Sequence, residues 1–204
     1  MNRIDLLCDK LGGVHTGTNI DTGARNWGGD MSKLGYTVPY EKYFSSLADA
    51  SVSLLEIGIF RGAGLAVWSL YFPNGKIYGA DIGTKEFKKN RSKWESIDSN
   101  VFKNLQDLYE LDSRNSDMVK LLKLPNFDII IDDGKHTPEA QYATFCNFFP
   151  YLNSGGLYVI EDITKGERYK KLMSLLNRYD IETYNDINTF DAYDNKNHII
   201  FIQK

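Results

Sequence analysis

From Val52 onward, short apolar runs alternate with segments patterned for helices, and this alternation leaves few folds open to the chain. Residues 52–57, 76–81, 104–110, 127–132, 156–161 and 198–202 read as strands, and residues 62–71, 114–123, 138–151 and 165–178 as helices. Such a sequence builds βαβ units, whose parallel strands need helices on both faces. The expected class is therefore α/β: a Rossmann-like, doubly wound, mostly parallel sheet. The last strand follows a weakly patterned stretch, 181–197, and is expected to run antiparallel. In an open sheet of this kind, ligands sit beyond the carboxyl ends of the strands, where strand order reverses. Those ends read Glu56-Ile57-Gly58, Asp81, the region of Asp112, Asp132-Asp133 and Glu161-Asp162. Acids therefore recur where a ligand would bind.

With 204 residues, 42% of them hydrophobic, the chain suffices for one domain with a sizeable core. Residues 1–51 read as a helix, a glycine-rich loop and a closing helix ahead of a core at 52–204. Between Gly12 and Gly35 seven of 24 residues are glycine, which predicts a long loop of the lid or binding type. A helix is expected next, with Thr37 as its cap, Pro39 in its first turn, and Tyr40, Tyr43, Phe44 and Leu47 at helical spacing. A net charge of −3 gives no general attraction to nucleic acid or an anionic membrane. The basic clusters at 85–93 and 165–171 read as solvated helix faces. Cys8 and Cys146 make no disulfide framework and, with no leader and no apolar run of membrane length, point to the cytoplasm.

The turn after the first strand, "LLEIGIFRGAGLAVW", selects among cofactors. A dinucleotide fingerprint needs a second glycine two residues after the first, and Phe60 stands there. Glu56 would repel a phosphate and suits a ligand with an amine or sulfonium. Asp81, 25 residues on, can accept hydrogen bonds from both hydroxyls of a ribose. An adenosine ligand satisfies both. Read in isolation, these glycines could equally serve helix packing, with Asp81 as a cap.

The stretch "LLEIGIFRGAGLAVWSLYFPNGKIYGADI" resembles the first two strands of class I S-adenosylmethionine-dependent methyltransferases. With "DIIIDDGKHTPEAQ" and "LNSGGLYVIEDI" it is similar to the macrocin and mycinamicin O-methyltransferase family, which methylates sugar hydroxyls. The resemblance implies Gly58 and Arg61 near the methionine moiety, Asp81 on the ribose, and Asp112 and Ser113 near the adenine. Upstream, "GDMSKLGYTVPYEKYF" resembles the family segment that closes over the cofactor, with Asp30 and Lys33 two residues further apart than in the family. The aromatic set Tyr40, Tyr43, Phe44, Trp68, Tyr71 and Phe72 reads as core, Tyr40 alone being kept as a candidate cofactor contact.

In "FDIIIDDGKHTPEA" an apolar strand stops on two carboxylates, with His136 three residues past Asp133. If that strand neighbours the one ending at Glu161-Asp162, three carboxylates share one edge. Such a group either shares protons or holds a hard divalent cation such as Mg²⁺, Mn²⁺ or Ca²⁺. The resemblance implies Asp133, Glu161 and Asp162 as metal ligands and His136 as the catalytic base. Asp132 is expected either to face the cofactor or to satisfy backbone donors in the turn. The function expected is metal-assisted O-methylation of a sugar hydroxyl, on a glycan, nucleotide sugar or glycosylated small molecule. A nucleoside-binding module without catalysis and a metal-dependent hydrolase stand as alternatives. No nucleic acid or membrane partner is expected, and an assembly of identical copies is left open.

Overall fold

The computed structural model describes residues 2–11, 31–177, 186–191 and 197–204, and the structural statements below concern these residues. The strands are β1 (Ser53–Ile57), β2 (Lys76–Asp81), β3 (Leu105–Glu110), β4 (Phe127–Asp132), β5 (Leu152–Thr164), β6 (Asp186–Asp191) and β7 (Asn197–Gln203). The helices are α1 (Arg3–Lys10), α2 (Met31–Leu34), α3 (Thr37–Phe44), α4 (Ala63–Tyr71), α5 (Lys85–Ile97), α6 (Ser116–Leu121), α7 (Pro138–Phe148) and α8 (Glu167–Leu176). One sheet takes the order β3-β2-β1-β4-β5-β7-β6. Strands β1 to β5 pair in parallel, while β7 is antiparallel to both its neighbours, β5 and β6. Strand order reverses between β1 and β4, so the carboxyl ends of those two strands are where a ligand site is expected.

The central strand β4 shows why its sequence is a continuous apolar run. Ile129 and Ile131 pack into one core cluster and Ile130 into the other, so both faces are covered. On the first face Trp68 of α4 meets Tyr40 and Phe44 of α3, with ring centroids 4.8 and 5.6 Å apart, and Tyr40 reaches Phe201 of β7 at 5.4 Å. The aromatic set is thus core, as expected. On the second face Phe145 and Phe149 enclose Tyr158. Phe87, Asn90 and Trp94 form the buried side of α5, whose exposed lysines account for the basic cluster there. No helix among the described residues is long and apolar enough to cross a membrane.

Some expectations are corrected. Residues 31–34 are helical rather than loop, while residues 12–30, with Asp30, lie outside the described part, as does the side chain of Lys33. Thr37 is not the cap of α3. That position is Tyr36, in helical backbone geometry, because Gly35 (φ +79°) turns α2 directly into α3. Strand β6 falls within the stretch left unassigned; it is a sheet edge paired only with β7, so its alternation is weak. Strand β5 starts earlier and ends later than the apolar run at 156–161.

Trp68 is both the hub of the aromatic cluster and wholly buried. Trp68→Ala should cost about 3–5 kcal/mol of stability, measured by urea denaturation. A loss below about 1 kcal/mol would be that of a surface position and would contradict this packing.

Candidate active site

At the strand-order switch the backbones of β1 and β4 come together. Gly58 has φ +92°, and a Cβ there would lie 2.1 Å from the carbonyl oxygen of Asp133. Only glycine allows that approach. The Asp133 amide donates to the Ile57 carbonyl at 2.8 Å, and the Gly58 amide to the Ala80 carbonyl at 2.8 Å. Beside this contact opens a cleft of about 450 Å³, within the range of small-molecule sites, whose lining includes Gly58, Asp81, Ile82, Asp112, Ser113 and Asp133.

Asp81 ends β2 with its carboxylate fixed. Its two oxygens accept from the amides of Phe60 (2.9 Å) and Gly83 (3.1 Å), and each retains acceptor capacity for a ligand. Asp112 is gripped by the Arg114 guanidinium at 2.8 and 2.6 Å, which holds its carboxyl below the usual range. Ser113 is anchored to α7 through Thr144 (2.9 Å) and Asn147 (2.9 Å). Beneath the cleft floor Glu56 is 4% exposed under the first turn of α4. There Oε1 accepts from Trp68 at 3.3 Å, while Oε2 has no partner among the described residues. Gly64 makes room for it, since a Cβ there would fall 1.8 Å from Oε1. Burial, reinforced by the Asp133 charge, pushes Glu56 up to about 8.

The second half of the site is acidic. His136 Nε2 lies 3.1 Å from Asp133 Oδ1, and its Nδ1 lies 3.7 Å from Asp162 Oδ2. Ligand atoms of Asp133, His136 and Asp162 all fall within 4.8 Å of one another. The hydrogen bond to Asp133 raises His136 to about 9, above the ordinary imidazole value. Glu161 and Asp162 are consecutive, and a regular strand would send them to opposite faces. A register shift between Ile160 and Ile163, with Asp162 at φ +52°, lets both serve this edge. Tyr36 donates to Asp162 Oδ1 at 2.7 Å, and the buried Tyr40 donates to Glu161 Oε1. Burial first, then the Asp133 charge, raises Glu161 well above the usual carboxylate range. Asp132 accepts from the Gly134 amide at 3.1 Å and is pushed up to about 7 by burial.

Of the residues singled out in the sequence, Gly58, Asp81, Asp112, Ser113 and Asp133 line the cleft, and His136, Asp133 and Asp162 converge beside it. Glu56, Arg61 and Tyr40 are not in its lining. Arg61 faces Glu86 at 3.6 Å and covers the Phe60 ring, and Tyr40 is spent on Glu161. Tyr36 was missed. Its signal is a second tyrosine four residues from Tyr40, hence on the same helix face, opposite two adjacent acids.

Residues 55–163 match the family model described as a methyltransferase domain. The 8-demethyl-8-alpha-L-rhamnosyl tetracenomycin-C 2'-O-methyltransferase of Streptomyces olivaceus is 33% identical over 136 residues, covering 63% of this chain and 33% of the relative. The L-olivosyl-oleandolide 3-O-methyltransferase of Streptomyces antibioticus is 32% identical over 165 residues, covering 76% of this chain and 34% of the relative. The chain spans about a third of the length of these curated relatives. Among solved structures, the MycE methyltransferase of the mycinamycin pathway, in complex with Mg, SAH and mycinamycin VI, superposes with TM-score 0.62 at 22% identity, over 83% of this chain and 48% of that one. An O-methyltransferase from Thermotoga maritima gives 0.61 at 12% identity, over 85% of this chain and 64% of that one. These likenesses establish the class I methyltransferase fold.

The raised carboxyl of Glu56 gives stability a definite pH dependence. The folded chain keeps a proton that the unfolded chain releases between its ordinary value of 4.5 and about 8, so stability falls as pH rises through that window. His136 adds stability that is complete below its ordinary 6.5 and lost as pH rises through about 9, in the same direction. Carboxylates held low, such as Asp112, contribute the opposite slope at acid pH. The melting temperature should therefore peak near about pH 5 and decline toward about pH 9, and Glu56→Gln should flatten the decline. Thermal melts across this range that give both proteins the same slope would contradict the assignment to Glu56.

Proposed function

The chain belongs to the methyltransferase-domain family, and on that premise we propose that it is an S-adenosylmethionine-dependent O-methyltransferase acting on a sugar hydroxyl of a glycosylated small molecule, nucleotide sugar or glycan. The observation that carries the reading is the Gly58–Asp133 contact, which joins a nucleoside-sized cleft to an acid and histidine edge with no space between them. The cleft fits the cofactor in chemistry. Asp81 keeps lone pairs for two ribose hydroxyls, Asp112 and Ser113 flank the adenine end, and Glu56 keeps a buried acceptor oxygen near the methionine end, its carboxyl neutral until a cationic ligand favours its ionised form. Bound S-adenosylmethionine supplies an electrophilic methyl group on a sulfonium.

Oxygens of Asp133 and Asp162 converge with His136 to within 4.8 Å, a donor set that suits a hard divalent cation. On this reading Glu161, which stands outside that converging group, would complete the ligands beside Asp133 and Asp162, and such a cation would acidify and orient the acceptor hydroxyl. His136 takes the hydroxyl proton. Its neighbours otherwise hold it protonated near neutral pH, so positive charge among these carboxylates would return it to a form able to act as base. Asp132 supports the turn through the Gly134 amide and keeps its other oxygen buried. Asp133 orients the imidazole through Nε2 at 3.1 Å, which leaves Nδ1, 3.7 Å from Asp162 Oδ2, as the nitrogen to accept the proton. The free thiols of Cys8 and Cys146 suit a reducing cytoplasm.

His136→Ala should lower kcat by roughly 10²–10⁴ with S-adenosylmethionine affinity nearly unchanged, and a chelator should abolish turnover while sparing cofactor binding. Methyl transfer to a panel of glycosides and nucleotide sugars, followed by mass spectrometry, measures both. Full turnover by metal-stripped protein would remove the cation from the mechanism. Asp81→Ala should weaken S-adenosylmethionine by about 2–4 kcal/mol, and unchanged affinity by calorimetry would remove Asp81 from the site.

A further inference from the structure

Tyr36 and Tyr40 stand one helical turn apart at the start of α3, and their hydroxyls reach two adjacent carboxylates 121 to 126 residues away in sequence. Both rings are buried, with exposures of 1% and 0%. The acids can be adjacent at this edge because β5 is bulged and Asp162 is held in the left-handed region, a conformation that needs support from its surroundings. The Tyr36 hydroxyl supplies it: it occupies Asp162 Oδ1 at 2.7 Å and leaves Oδ2 facing His136 at 3.7 Å. The Tyr40 hydroxyl donates to Oε1 of Glu161, whose own backbone carbonyl is pinned by Gln141 of α7 at 3.0 Å.

We propose that Tyr36 and Tyr40 are positioning residues for a divalent cation: each hydroxyl saturates one oxygen of its carboxylate and leaves the other to serve as a ligand. The inference rests on the reading of these acids as metal ligands given above. It assigns a role to the segment ahead of β1, which presents two donors in helical register to two acids in bulged register. Carboxylates that ligate metals are held by such outer hydrogen bonds, and their loss commonly weakens the metal by 10–100-fold. A purely structural account predicts something different, namely that the hydroxyls only satisfy buried oxygens and contribute to stability alone.

The test measures manganese(II) binding to the full chain by electron paramagnetic resonance, for wild type, Tyr36→Phe and Tyr40→Phe, alongside S-adenosylmethionine affinity by calorimetry. Each variant removes one oxygen and keeps the ring packing, so either can carry the result if the other does not fold. The expected outcome is manganese affinity reduced about 10–100-fold with cofactor affinity within about twofold of wild type. Variants that melt earlier yet bind manganese as wild type does would overturn the proposal, as would failure of both to fold. Wild-type protein that binds the cofactor but no manganese overturns it together with the metal reading. Protein that binds neither would sink the broader assignment as well.

Discussion

Asp133 has acidic neighbours on three sides, and much of the structure can be understood as the means of tolerating it. Burial raises the carboxyls of Glu56, Asp132 and Glu161, all of them 7% exposed or less, and the Asp133 charge raises each of them further. Two like charges about 4 Å apart repel by roughly 4 kcal/mol even at an effective dielectric near 20, so four carboxylates cannot all ionise here. Two of the three neighbours hold their protons to about pH 7 and 8, and His136 beside them becomes a cation. The site therefore stores protons near neutral pH, and on the proposed reading a divalent ion would have to displace them, which would couple its affinity to pH.

Donors come to these carboxylates from separate parts of the chain. Trp68 of α4 reaches Glu56, Tyr36 and Tyr40 at the start of α3 reach Asp162 and Glu161, and the Gly134 amide reaches Asp132. The same tyrosines and tryptophan fill the core on the first face of the sheet. Packing and charge compensation are thus performed by the same side chains: a ring buried for its apolar area carries a polar atom at the end that meets an acid. This explains why the acids can sit at the edge of a dry core without leaving it.

The parallel sheet was legible because β1, β2, β4 and β5 are covered on both faces and so read as apolar runs of strand length. The acids at their ends were legible too, since an apolar run that stops on a carboxylate has no packing reason to do so. Strand β6 was not, because an edge strand has no need of a strong pattern. The bulge in β5 was hidden for a different reason. Nothing in "VIEDIT" announces that Asp162 adopts a left-handed backbone, which is decided by partners 126 residues away. Tyr40 illustrates the limit of residue type as a guide: an aromatic ahead of the first strand reads as a candidate cofactor contact, yet its position in the core and its bond to Glu161 are set by helix packing that the sequence shows only as periodicity.

The contact between Gly58 and the Asp133 carbonyl has a mechanical consequence on the proposed reading. Strands β1 to β3 carry the side chains assigned to the cofactor, and β4 and β5 carry those assigned to the metal and the acceptor. With no side chain between the two groups, their separation is fixed by the backbone hydrogen bond from the Asp133 amide to the Ile57 carbonyl rather than by flexible rotamers. A reaction that needs donor and acceptor held in line gains most from this arrangement, because a misplacement of about 1 Å can cost about 10²-fold in rate.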